Sequence, residues 1–389
     1  MRALKPLICV CGPRRCVPHI AAFSMFVLTQ ALSAQSALFT GLPPQVSLTA
    51  NAGGAASNVE SLTIRSSIPS LPFLVTDSSG GWLKTSAATG HSPTSIQVFA
   101  DASALTGGTY HANLTISTSI QSPLPGSAAL SISQDIPVTL TVSPTPLPTI
   151  ASVVNAATFI SGKVSPGELV TIFGTAIGPA TAAGATTDPA TGKLATTIGG
   201  VQVLFNGIAA PMIYASGTQV SAVVPYEMAP VASPSVWIKY AGQTSNAYQL
   251  TTTTTAPGLF TQNASGSGPG AILNQDNSLN GPGNRAAKGS IVQVFMTGEG
   301  QTSPPSVTGA ITTATLPPPQ VTPAPALAVG VLINGQPASY AYAGEAPGLV
   351  AGMMQLNVQI PANAPSGDLP ITVSIGGNTS QKGVTVSVQ

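Results

Sequence analysis

The sequence predicts an all-β protein of three tandem β-sandwiches, and three observations carry that prediction. The first is an internal repeat. Residues 201–225, VQVLFNGIAAPMIYASGTQVSAVVP, return as residues 329–361, VGVLINGQPASYAYAGEAPGLVAGMMQLNVQIP. Asn206-Gly207 falls on Asn334-Gly335, Tyr214 on Tyr342, and residues 219–225 on 355–361. Each copy reads as a strand, an Asn-Gly turn, a second strand and a further strand that stops at proline. The second observation is period-two alternation of apolar residues along short runs, as in a sheet with one buried face. The third is composition. Charged residues make up 6% and hydrophobic residues 43%, with 40 Gly and 36 Pro. An ordinary soluble domain carries roughly 25% charge, and a disordered chain combines low hydrophobicity with high net charge. Neither describes this chain. Short strands with uncharged polar faces, joined by glycine and proline turns, do.

In chain order, residues 1–34 read as a signal peptide. Arg2, Lys5, Arg14 and Arg15 precede an apolar run over residues 20–28, and small residues follow in 31–34, the basic, apolar, small-residue order of an export signal. The run is too short to cross a bilayer, which takes about 20 residues. Cleavage falls after Ser33 or Ala34. The residues after Arg14-Arg15 do not continue as a twin-arginine signal, and no lipobox precedes Cys16. Cys9, Cys11 and Cys16, the three cysteines of the sequence, all lie in this segment, so the mature chain is expected to hold no thiol or disulfide. Removing four basic residues leaves 8 Lys/Arg (12 − 4) against 11 Asp/Glu, a net charge of −3. That balance points away from nucleic acid and anionic membrane surfaces. No later stretch is long and apolar enough to be a transmembrane segment. The expected location is secreted, extracellular or on the cell surface.

Residues 36–143 form the first module. Val46/Leu48, Leu62/Ile64, Ile96/Val98, Ala112/Leu114/Ile116 and Ile136/Val138/Leu140/Val142 alternate, and the glycine-rich turns 51–54, 78–81 and 107–108 separate them. This suits one sandwich. Residues 144–148, with three prolines from Pro144 to Pro148, read as a stiff extended linker.

From residue 149 the chain repeats itself. Asn155 matches Asn274, GELVTIF (167–173) matches GSIVQVF (289–295), and Gly242 to Ser245 match Gly377 to Ser380. Order is kept while the offset drifts from 119 through 122 and 128 to 136 and then 135, as duplication followed by loop insertion produces. The seam is placed near Thr255, giving units 149–255 and 256–389. The proline-rich run 316–325 falls between strand signals of the second unit and reads as an extended loop. Little helix is expected.

Two resemblances follow from these motifs. LTGGTY (105–110) with its alternating continuation, the Gly-Gly-Trp82-Leu83 step and the closing IPVTLTV strand resemble the BACON class of small immunoglobulin-like modules. That likeness implies carbohydrate binding. VVNAATF, VSPGELVTIFGT, GGVQVLFNGIAAP, QVSAVVPYE, APGLFT, AILNQDNSLN, AAKGSIVQVFMTGEGQTSP, YAGEAPGLVAGMMQLNVQIP and SQKGVTVSV, spread from about residue 150 to 389, resemble the Solibacter-type uncharacterised C-terminal domain family of secreted Acidobacterial proteins. Its units are similar to the IPT/TIG type of immunoglobulin-like fold. The resemblance implies compartment and fold, and no activity.

The chemistry legible in the residues is sparse. Nucleophilic catalysis needs a base beside its nucleophile. After residue 34 only His91 and His111 remain, and both read as surface side chains. The acids are scattered singly. Glu168, Glu227, Glu299 and Glu345 stand near strand or turn ends and read as solvated turn acids, leaving a cryptic glycoside hydrolase as a remote alternative. Asn274, Asp276, Ser278 and Asn280 faintly resemble a calcium loop but lack its closing Glu, because Arg285 stands there; a hairpin turn explains the stretch better. Gly266 to Gly270 lack the Lys and helix of a phosphate loop. No catalytic residue, metal ligand or cofactor is assigned. Trp82, after a Gly-Gly turn, is the one candidate ligand-binding residue, as a sugar platform; Trp237 lies on the opposite strand face from Val236 and Ile238. The expected function is a non-enzymatic binding or display protein, and the alternative is a structural or adhesive cell-surface protein that uses loop contacts. Its partner is glycan, met through the first module, or a surface protein met through loops.

Overall fold

The computed structural model describes residues 38–54, 56–121, 128–313 and 322–389. The signal-peptide segment with its three cysteines and most of the 316–325 loop lie outside the described residues. Among the described residues the chain is all-β, with one short 3-10 turn at Tyr226–Met228. Residues up to Thr145 form one compact unit and Pro146–Gln389 another.

In the first unit, alternation decides the layers. Thr94–Ala100 turns Ile96, Val98 and Ala100 inward and Ser95 and Gln97 outward. It lies between Glu60–Ser66 and Leu83–Thr85, with Phe39–Thr40 at the far edge. The facing sheet runs Val46–Asn51, Leu130–Ser143, Gly108–Ile120, Pro72–Asp77 and Thr89–His91. Val46–Asn51 is parallel to its neighbour, with Val46 opposite Val138. The core between the sheets joins Leu48, Leu62, Ile64, Leu114, Ile116, Ile136 and Leu140. Fully buried aliphatics of this kind contribute about 1.5–3 kcal/mol each.

The second unit holds two sandwiches with separate cores. One gathers Ile172, Val203, Phe205, Met212, Val220 and Ile238. The other gathers Val294, Ile333, Leu356, Ile371, Val373 and Val386. The duplication extends to strand register. Leu169 opposite Val223 recurs as Ile291 opposite Gln359, displaced by 122 and 136. Val203 opposite Ile238 recurs as Val331 opposite Val373, displaced by 128 and 135. An irregularity between Met212 and Tyr214 recurs between Tyr340 and Tyr342, and the side-chain oxygens of Ser245 and Ser380 accept the N–H of Ile238 and Val373 at 2.9 and 3.0 Å. Asn206 and Asn334 both turn with positive φ, 46° and 50°, as hairpin turns require.

The halves meet over a small apolar cluster of Leu169, Leu194, Val223 and Val350. Hydrogen bonds cross beside it: Leu169 N–H donates to Thr297 Oγ1 at 2.8 Å and Leu194 N–H to the Gly309 carbonyl at 2.8 Å.

Candidate functional site

Trp82 is half-buried and packs on the first core, edge-on to Tyr110 with ring centroids 6.4 Å apart. Its carbonyl accepts the Asp101 N–H at 2.8 Å, and the Tyr110 hydroxyl donates to the Thr106 carbonyl at 2.9 Å. The indole is therefore held on one side by packing, and part of it reaches the surface at the Gly80-Gly81 turn. Trp237 is also half-buried, opposite Leu204 on a strand whose Val236 and Ile238 point into the core. His91 and His111 are exposed and 20 residues apart in the chain. The side chains of the 274–280 stretch are taken up by protein partners, in the turn and on the strands beside it. Asn280 Nδ2 donates to Asn274 Oδ1 at 2.9 Å and to the Ser387 carbonyl at 2.8 Å, and Asp276 Oδ1 accepts the Ser278 N–H at 3.0 Å. Among the described residues no group of three or more His, Cys, Asp or Glu is placed to hold a metal ion.

The acids depart from expectation. Glu227 is exposed, but Glu168, Glu299 and Glu345 are 1%, 0% and 4% exposed. They are seam groups, not solvated turn acids. Their turns are covered by the other half of the same unit, which no local pattern reveals. Glu168 Oε1 accepts from Asn155 Nδ2 at 2.9 Å and its Oε2 from the Ser165 N–H at 2.7 Å. Asn155 Nδ2 also donates to the Ala256 carbonyl, at 3.1 Å. Desolvation pushes the Glu168 carboxyl up to about 8, against the pull of those donors.

Glu299 and Glu345 share one network. The Tyr226 hydroxyl, from the first half, donates to Glu299 Oε1 at 3.2 Å. Ser306 donates to Glu345 Oε1, and Thr312 Oγ1 donates to Glu345 Oε2 at 2.7 Å. Glu299 Oε2 is buried without a hydrogen-bond partner. Burial, and then the charge of Glu345, push Glu299 up to about 8. Burial and the same carboxylates hold the Tyr226 phenol far above its usual range. Gln301 Nε2 donates to the Tyr226 carbonyl at 2.9 Å, and Thr308 Oγ1 to Glu227 Oε2 at 2.7 Å. The loop after Ile291–Thr297 thus grips the Tyr226–Met228 turn. The structure brings two carboxyls together, yet seals them from any substrate or attacking water, which hydrolysis of a glycoside requires.

One signal for this pair was present in the repeat. Displacement by 122 sets Ile177 against Glu299, and displacement by 128 sets Gly217 against Glu345. In the first copy the Ile177 N–H donates to the Gly217 carbonyl at 3.1 Å, so those two positions are neighbours. Ile177 is wholly buried, so a carboxyl at the matching position inherits a buried place.

No family model and no curated protein matches the chain. Among solved structures it is similar to the Bacteroides ovatus mixed-linkage glucan utilization locus SGBP-B in complex with mixed-linkage heptasaccharide, at 12% identity over 90% of this chain and 70% of that one, TM-score 0.26. It is similar to a chimeric titin Z1Z2 functionalized with a KLER exogenous peptide from decorin, at 13% identity over 55% and 95%, TM-score 0.22. It is also similar to domains 4–9 of the surface layer protein SbsC, at 12% identity over 90% of this chain and 46% of that one, TM-score 0.20. No helix among the described residues is long and apolar enough to cross a membrane.

Proposed function

We propose that this chain is an extracellular, non-enzymatic binding or display protein. In this reading residues 1–34 export it, residues 36–143 are a BACON-like module that meets glycan through Trp82, and units 149–255 and 256–389 are an IPT/TIG-like pair that serves as a rigid stem. The observation that carries the reading is the use to which the chain puts its acids. Glu299 accepts a hydrogen bond from Tyr226 of the other sandwich, and Glu168 and Glu345 are buried in hydrogen bonds within their own. The partly exposed indole of Trp82, braced by Tyr110, supports the glycan part. A rigid aromatic face is the usual partner for the apolar face of a sugar ring.

A glycan array probed with the secreted chain and with Trp82→Ala tests it. At least one glycan is expected to be retained, and Trp82→Ala to weaken it about tenfold or more, about 1.4 kcal/mol. Equal retention by both proteins would remove Trp82 from the site. An array with no retained glycan, together with capture of a surface protein, would favour adhesion through loops instead.

A further inference from the structure

Within the Pro146–Gln389 unit a cleft of about 330 Å³ opens beside Glu168. Its floor is Asn155, Glu168 and Thr255, all buried; its rim includes Ser161, Lys163, Thr379 and Ile160, the last 62% exposed. The floor is selective in what it leaves free. Asn155 is saturated: Nδ2 donates to Glu168 and Ala256, and Oδ1 accepts the N–H groups of Ala157 and Thr158 at 2.9 and 3.1 Å. Asn378 Nδ2 donates to the Thr255 carbonyl and hydroxyl at 3.0 and 2.9 Å, which leaves its Oδ1 as an acceptor. Glu168 accepts three contacts of the four its two oxygens can take. Since its carboxyl is pushed up to about 8, it holds a proton at neutral pH. Asn155 Nδ2 and the Ser165 N–H cannot accept that proton, and Ser165 Oγ, at 3.4 Å, is too far to accept it well.

We propose that this cleft binds a neutral, polyhydroxylated, sugar-sized ring. The ring accepts a hydrogen bond from Glu168, donates to Asn378 Oδ1, meets the Ser161 and Thr379 hydroxyls, and lays an apolar face on Ile160. Charge argues against a cation. A protonated, uncharged acid on the floor and Lys163 at the mouth disfavour an amine. Size agrees: about 330 Å³ is at the lower end of the roughly 300–1,000 Å³ of small-molecule sites, enough for a short ligand and not a long chain. The site is independent of Trp82.

The test is ligand-observed NMR and titration calorimetry on the full chain. The probes are neutral mono- and disaccharides, with a primary amine as a second arm. Ser161→Trp fills the mouth from an exposed position, and Glu168→Gln keeps the shape of the floor while removing its titration. At least one sugar is expected to bind. Its affinity should fall about tenfold between roughly pH 6.5 and pH 9 as Glu168 loses its proton. Ser161→Trp should lower binding at least about tenfold, Glu168→Gln should bind without the pH dependence, and Trp82→Ala should leave this binding unchanged. The proposal is overturned if no sugar binds. It is equally overturned if binding survives Ser161→Trp intact, if Trp82→Ala alone abolishes it, or if the amine binds instead and tightens as pH rises.

Discussion

Gly298→Ala is expected to cost the protein about 4 kcal/mol, from backbone strain and overpacking together. Gly298 has φ of 84°, a left-handed conformation that a side chain resists. A Cβ built on it would overlap the Ala256 carbonyl oxygen. Neither atom can step aside cheaply, because the Gly298 carbonyl accepts the Ala256 N–H at 2.8 Å and the next residue is the buried Glu299. Gly207→Ala separates the two causes. Gly207 has φ of 88°, but a Cβ there would meet nothing within 4 Å, so it carries the conformational cost alone, about 1 kcal/mol. Urea denaturation of the two variants beside the parent measures the difference. Equal losses would mean that the seam gives way easily and that the close approach at Gly298 holds nothing.

Stability is expected to fall as pH rises from about 4.5 to about 8. Glu168 and Glu299 are both raised from an ordinary value of 4.5 to about 8, burial being the first cause for each. Below 4.5 both carboxyls are protonated in the folded and unfolded chain, and their burial carries no ionisation penalty. Between the two values the unfolded chain has released protons that the folded chain still holds. The unfolded state then binds fewer protons, so stability declines with pH across that window, each group contributing to the slope. Above about 8 the decline stops, with the full penalty in place. The urea midpoint should therefore be highest in mild acid and lowest in mild base. Glu299→Gln should remove about half the slope. A midpoint that is flat with pH, or one that rises from acid to neutral, would contradict the burial of these acids.

The scaffold was legible for a physical reason. Period-two alternation and Asn-Gly turns are local, and the residues that showed them, from Leu48 and Leu62 to Val203 and Val331, lie in the cores. Pro72–Asp77 escaped notice because a proline opens it and Leu74 is exposed, although Phe73 and Val75 point inward. The seam was legible only through the repeat. Glu299 beside a glycine reads locally as a solvated turn acid. What buries it is Tyr226, 73 residues away, so its state is a property of tertiary contact. Comparing the copies would have flagged it, since Ile177 marks the matching place as core. The cleft beside Glu168 had no such trace, because Thr255 and Asn378 are 123 residues apart and their types are common on any surface of this composition.

The seam also sets an order of events in biosynthesis. A chain made from its N-terminus presents Leu169 and Val223 long before Thr297 and Val350 exist to cover them, the Leu169–Thr297 bond alone spanning 128 residues. Over that interval the first half is a sandwich with an open, sticky end and an unprotected sheet margin, the kind of surface on which nascent chains aggregate. Closure must wait for a contact of high sequence separation, which is slow to find. Completion of the fold is thereby tied to arrival of its last third, and a chain cut short before Thr297 would carry its unsealed end as a ready target for proteolysis.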